Sequence, residues 1–210
     1  MIKIIHESDK FVVCEKPSGL VSEYTDKSPS LPQTLCTQLN LEEIFTVHRL
    51  DREVSGAIVY AKTQKAAAFL SKQITDGSFN KEYITQVRGN LPESEARLCD
   101  LLFHDRQKNK TFVVKKKRTG VKEAILEYSL LNYDKQENLS TLKIQLFTGR
   151  THQIRVQLAS RGFPVCGDRK YGSSENIKPI RLHSHHLSFF APNGKMLSFT
   201  SEPEWLTYHN

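Results

Sequence analysis

The chain has 210 residues, 38% of them hydrophobic and 25% charged, which suffices for one substantial core and includes no run near the ~20 apolar residues of a membrane span. The start, Met1 to Glu7, turns polar too early for a secretory signal. Cys14, Cys36, Cys99 and Cys166 show no CxxC spacing, so a cytoplasmic protein with reduced thiols is expected. The formal net charge is +7, and the window from Lys108 to Lys122 holds seven basic residues and no acid; the other 23 basic residues are matched by 23 acidic ones.

In chain order, Ile2 to Ile5 and Phe11 to Cys14 read as two short strands, the second ended by the turn-forming Glu15-Lys16-Pro17-Ser18-Gly19-Leu20. Residues 31–39 suit a short helix. Ile44, Phe45 and Val47 suggest an extended segment, and the run Ala57-Ile58-Val59-Tyr60-Ala61 a buried strand. The spacing of Ala66, Phe69, Leu70 and Ile74 predicts a helix over 64–74, stopped at Asp76-Gly77. Residues 81–87 form a strand with Lys81, Tyr83 and Thr85 on one face, and further strands are expected over 124–131 and 139–147. A helix over 152–161 has Thr151 as its N-cap, with Ile154 and Leu158 inward and Arg155 directed out of the core. Leu187 to Phe190 and Met196 to Thr200 flank Pro192-Asn193-Gly194-Lys195 as a closing hairpin. Nothing repeats and no low-complexity linker divides the chain. The pattern is that of a single α+β domain with a mixed, mostly antiparallel central sheet flanked by helices.

Four stretches carry candidate chemistry. Asp51 sits in His48-Arg49-Leu50-Asp51-Arg52-Glu53-Val54-Ser55-Gly56, between two strands and flanked by two arginines that keep it ionised. Lys81-Glu82-Tyr83 puts a cation and a phenol on one strand face. Thr148-Gly149-Arg150-Thr151-His152-Gln153-Ile154-Arg155 leads into a helix whose amides suit an anion. The basic residues Lys108, Lys110, Lys115, Lys116, Lys117, Arg118 and Lys122, with Thr111 to Val114 as a β-like stretch and Thr119-Gly120 as a turn, suggest a projecting hairpin that fits a phosphate backbone. Each has a plainer reading: a salt-bridged turn, a half-buried tyrosine, a capped helix, a solubilising loop.

Together these stretches resemble the RluA-type RNA pseudouridine synthases. The resemblance rests on Lys16 to Leu20, on His48-Arg49-Leu50-Asp51 with Ser55-Gly56 and Ala61-Lys62, on Lys81 to Tyr83, and on Gly149 to Val156 through Gly167-Asp168 and Tyr171-Gly172. Four ordered motifs are far more specific than any one alone. They span roughly residues 1–201; the family usually has threonine where Val54 stands. The resemblance implies isomerisation of a uridine in rRNA or tRNA to pseudouridine, by a monomer and without cofactor or metal. Asp51 would be the catalytic carboxylate, acting either on C1′ or on the C2′ proton. Tyr83 would stack on the uracil, Arg155 would pair with Asp51, and Arg49 would fill the gap left by the flipped nucleotide. The seven basic residues would hold the RNA backbone. The resemblance implies one catalytic domain over residues 1–210, with no separate N-terminal RNA-binding domain.

Two other classes remain open. A non-catalytic RNA-binding or assembly factor explains the basic window without needing Asp51, Tyr83 and Arg155 together. A metal-dependent hydrolase draws on His183, His185 and His186, but the first two alternate on one strand face, the third points away, and no acidic cluster accompanies them.

Overall fold

A computed structural model describes residues 1–206. The chain forms two compact units, Met1–Lys81 with His183–Asn210, and Glu82–Leu182. In the first unit, β1 (Ile4–Glu7) pairs antiparallel with β2 (Phe11–Lys16), and β2 with β4 (Ser55–Ala61). The two-residue β3 (Phe45–Thr46) also pairs with β4. The second unit is an antiparallel array of β5 (Asn80–Arg88, which begins in the first unit), β9 (Leu139–Leu146), β8 (Val121–Asp134), β6 (Glu95–Asp105) and β7 (Lys110–Val114) in that spatial order. The first unit also holds β10 (Leu182–Phe190), which lies parallel to β4 and antiparallel to β11 (Met196–Thr200). The β4–β10 pairing makes the strands mixed, and the α+β reading holds.

Local chemistry explains the helices. Ser30 caps α1 (Leu31–Leu39) in a reciprocal box with Gln33, satisfying amides that have no partner in the first turn. Thr63 caps α2 (Gln64–Asp76), which Gly77 ends in a left-handed conformation, as Asp76-Gly77 predicts. Leu70 of α2 packs with Phe11, Val13, Val59, Phe79 and Phe189 in the core of the first unit.

Three expectations need correction. No element is predicted over 95–105, where alternation is weak, yet β6 forms there because β7 and β8 pair with both its edges. The helix over 152–161 is shorter. His152, at φ 54°, stands at its N-terminus in place of Thr151, and α3 covers only Gln153–Ala159. Beyond Ala159 the chain tightens, with Arg161 and Gly162 donating to carbonyls three residues back. The basic window is not a hairpin either. Because β7 and β8 lie on opposite edges of β6, residues 115–120 cross over β6, with the Arg118 guanidinium 4.6 Å from the centre of the Phe103 ring.

Gly56 enters β4 with φ 112°. A Cβ there would lie 2.6 Å from Ser184 N and closer still to its carbonyl oxygen. Gly56→Ala therefore combines backbone strain with a backbone clash that has no soft side chain to yield, a loss of about 3 kcal/mol or more. The melting temperature is expected to fall by roughly 6–12 °C. An unchanged melting curve would mean that β4 and β10 separate at little cost.

Candidate active site

Asp51 is half-buried in the turn between β3 and β4, its carbonyl accepting from Val54 N at 3.1 Å. The turn is held by the segment that follows β2. Lys16 is fully buried, and its ammonium donates to three carbonyls, those of Pro17 (3.0 Å), Leu20 (2.7 Å) and Arg52 (3.1 Å). Gly19 N donates to Arg52 O at 2.7 Å and Ser18 Oγ to Glu53 O at 2.8 Å. Ser22 clamps Leu50 from both sides, its hydroxyl donating to Leu50 O and accepting from Leu50 N. Every residue from 50 to 53 except Asp51 thus gives a backbone group to residues 16–22, which fixes the loop that carries the carboxylate.

Burial pulls the Lys16 ammonium down to about 8, against the opposing pull of Glu53 and Asp51. At neutral pH it remains a cation beneath the turn. His48 is a structural residue: its Nε2 accepts from Val59 N at 3.2 Å, its ring lies 5.5 Å from that of Phe79, and burial pushes it down to about 3. Val54, at the position usually threonine, is buried and apolar. Arg49 is exposed and paired with Glu23 at 2.7 Å. Both side chains are half in water, where such a pair is worth little, so Arg49 can leave it for another partner.

In the second unit Tyr83 is buried in β5, with Ile144 of β9 opposite it. Lys81, earlier on the same strand, is buried too, and desolvation lowers its ammonium from the ordinary value. Arg155 corrects the expectation that it points out of the core. It is 2% exposed, and its Nε and Nη2 hold the Asp168 carboxylate at 2.6 and 2.9 Å. The physical reason is that α3 is packed on every side: all residues from Gln153 to Leu158 are buried, so its polar side chains find partners inside. Gln153 bonds Thr148, Arg150 and Ile125, and Gln157 reaches Asp100 at 2.8 Å. The Arg155 guanidinium also lies 5.2 Å from the centre of the Tyr171 ring, whose hydroxyl meets His152 Nδ1 and Thr111 N at 2.8 Å each.

The basic residues are divided between the two faces of this sheet. Leu102 of β6 packs on Val156 of α3, so its neighbour Phe103 faces the other way, and Arg118 covers Phe103. Lys115, Lys116 and Lys117 belong to the same exposed crossing. Lys108, Lys110 and Lys122 lie in the β6–β7 turn, on β7 and on β8. Each histidine of the rival metal reading has hydroxyl or carbonyl partners: His183 meets Ser55 and Ser201, His185 meets Ser201, and His186 meets Thr200 and Ser198. Among the described residues, no group of three or more His, Cys, Asp and Glu is arranged to hold a metal ion.

Residues 10–160 match the family described as RNA pseudouridylate synthase. The chain belongs to the RNA pseudouridine synthase family. Its members are isomerases acting on uridine in RNA. An RNA pseudouridine synthase of Aquifex aeolicus is 34% identical, aligned over all of this chain and 74% of its own length. Ribosomal large subunit pseudouridine synthase D of Borreliella burgdorferi is also 34% identical, over 96% of this chain and 65% of its own length. The dual-specificity RNA pseudouridine synthase RluA of Yersinia pestis is 30% identical, over 96% of this chain and 99% of its own length. This chain therefore spans about two thirds to nearly all of these relatives. In fold it is similar to human RNA pseudouridylate synthase domain containing 1, with a TM-score of 0.82 over 98% of this chain and 85% of that one, at 21% identity. No helix among the described residues of this family member is long and apolar enough to cross a membrane.

Three residues of this pseudouridine synthase gain roles that sequence reasoning left blank: Lys16, Asp168 and Tyr171. All three stand in the family motifs, but nothing in the sequence marks a lysine as buried or says which arginine an aspartate meets.

The buried histidines set an acid limit on stability. Burial holds His48 near 3 and His183 near 4 in the folded chain, against ~6.5 in an unfolded one. Below that value the unfolded state takes up protons that the folded state refuses, so stability falls as pH drops. The slope should approach about 1.4 kcal/mol per pH unit for each ring. Urea titrations from pH 7 to 5 should show it, and His48→Gln should remove about half. A flat profile over that range would mean that both rings take up protons as readily in the folded chain as in the unfolded one.

Proposed function

We propose that this chain converts specific uridines of rRNA or tRNA to pseudouridine, with Asp51 as the catalytic carboxylate. The bond between ribose C1′ and uracil N1 breaks, the base turns while held, C5 joins C1′ and then loses its proton, and N1 gains one. Asp51 acts either by attacking C1′ or by taking the C2′ proton, and both require the ionised form. The observation that carries this reading is the turn itself: a half-buried carboxylate in a matched family motif, on a loop that Lys16, Ser18 and Ser22 hold by its backbone. A rigid loop keeps a reacting group in place without further ordering during the reaction.

By the same motifs Tyr83 is the ring for the uracil and Arg155 the cation that pairs with Asp51. Asp168 holds one edge of the Arg155 guanidinium. Arg49, whose tie to Glu23 is weak, enters the space of the flipped nucleotide. Residues 1–210 act as one catalytic domain, as a monomer in the cytoplasm. Lys108, Lys110, Lys115, Lys116, Lys117, Arg118 and Lys122 hold the RNA backbone.

Asp51→Asn keeps the shape of the side chain and removes its charge. Pseudouridine formation should disappear while RNA affinity stays within about tenfold, or ~1.4 kcal/mol. A melting curve must show that the variant is folded. A folded Asp51→Asn protein that forms pseudouridine at the wild-type rate would sink the assignment and leave an RNA-binding factor as the better reading.

Replacing Lys115, Lys116 and Lys117 together with glutamine should weaken RNA binding and flatten its dependence on salt. On a single strand the log–log slope should drop by about 0.7 for each phosphate that is no longer neutralised. Turnover at saturating RNA should change much less, because these residues position the RNA and do not touch the base. If the slope is unchanged, the lysines are a solvated surface only.

A further inference from the structure

The crossing of residues 115–120 over β6 creates a feature that backbone-holding lysines do not explain. Phe112 of β7 and Phe103 of β6 stand directly opposite in the ladder and so share a face. Each ring is flanked by a cation: Lys110 Nζ lies 5.9 Å from the Phe112 ring centre, and the Arg118 guanidinium 4.6 Å from that of Phe103. Phe103 is covered from above by Arg118, and a Cβ on Gly120 would touch its ring at 3.5 Å. Phe112 is left open, 36% exposed, on the edge strand of the sheet. The result is a strip that reads cation, open ring, covered ring, cation.

Around the β7 edge, Lys110 continues the strip. Its ammonium also lies 5.4 Å from the ring of Tyr171, which contacts the Arg155 guanidinium from its own side. Lys170 extends the basic character here, its ammonium donating to Asn109 O at 3.0 Å. The nearest acid of the β6–β7 turn, Asp105, is turned to the backbone amides of Gln107 and Lys108, at 3.0 Å each. No carboxylate lies within the window from Lys108 to Lys122.

We infer that the Phe112 ring is a stacking site for an unpaired nucleobase of the bound RNA. The inference rests on the reading that this chain acts on RNA, and it adds the kind of RNA: a single strand that follows the β7 edge. An open aromatic ring between cations takes a base on its face while the cations meet the phosphates on either side. A duplex shows only its backbone and 2′-hydroxyls to such a surface, because its bases are already stacked. Phe112 therefore discriminates single strand from duplex, and the surrounding lysines do not.

The test measures binding, not turnover, so it is decided independently of Asp51. The probes are a fluorescein-labelled oligouridylate of about twelve nucleotides and its duplex with oligoadenylate, with the full chain. Phe112→Ala should bind the single strand about tenfold more weakly and the duplex within about twofold of wild type, with the salt slope unchanged on both. Phe112→Tyr, which keeps a stacking ring, should restore single-strand binding to within about threefold. Equal losses on the two RNAs, no loss on the single strand, or a tyrosine variant as weak as the alanine one would each overturn the stacking site. The last two outcomes would leave Phe112 as a surface for a protein partner or for packing within the sheet.

Discussion

The ammonium of Lys16, buried beneath the Asp51 turn, is the contact on which the proposed chemistry depends. Taking a cation out of water costs several kcal/mol, and here three carbonyls take the place of the lost water. Two of them belong to Lys16's own segment and the third to Arg52, so one charge closes two loops on each other. The neighbouring backbone bonds of Ser18, Gly19 and Ser22 depend on that closure. Removing the ammonium would take a donor from three acceptors at once, which is costlier than the loss of one bond. Methionine matches the length of the lysine stem and supplies no donor, so the constraint is chemical and not one of volume.

The second unit solves the same problem with the opposite pairing. Arg155 and Asp168 are both buried, and a two-pronged bond fixes the plane of the guanidinium as well as its place. Tyr171 lies against that plane, and its hydroxyl is fixed in turn by His152 and Thr111. A lysine at 155 would keep the charge and lose the plane. The polar side chains of α3 are thus internal supports, although helical spacing alone suggests an outward face.

Much of this was legible in the sequence. Asp51, Tyr83 and Arg155 stand in ordered motifs, and the runs at 57–61 and 64–74 carry the periodicities of a buried strand and an amphipathic helix. What stayed hidden has a common cause: it depends on partners far along the chain. β6 exists because both its edges are paired, and its own alternation is weak. The basic window looks like a hairpin because Thr119-Gly120 is a turn, but hairpin geometry fails once β6 separates β7 from β8. Helical spacing makes Arg155 read as outward, but every side of α3 is covered and Asp168 meets the guanidinium inside.

The first unit is discontinuous in the chain, and this shapes how it must assemble. Ser55 at the start of β4 meets His183 at the start of the paired part of β10, 128 residues later. A ribosome adding ~5–20 residues per second leaves β4 without that neighbour for roughly 6–25 s. In that interval Tyr60 and Ala61 are already paired with β3 and the strand with β2, but the Ser55-Gly56 end of β4, which β10 later pairs, has its second edge open. The second unit, continuous from Glu82 to Leu182, emerges whole before β10 does. Nascent chains stalled between these points lack the partner that closes this end of β4, and a holding chaperone has a segment to hold.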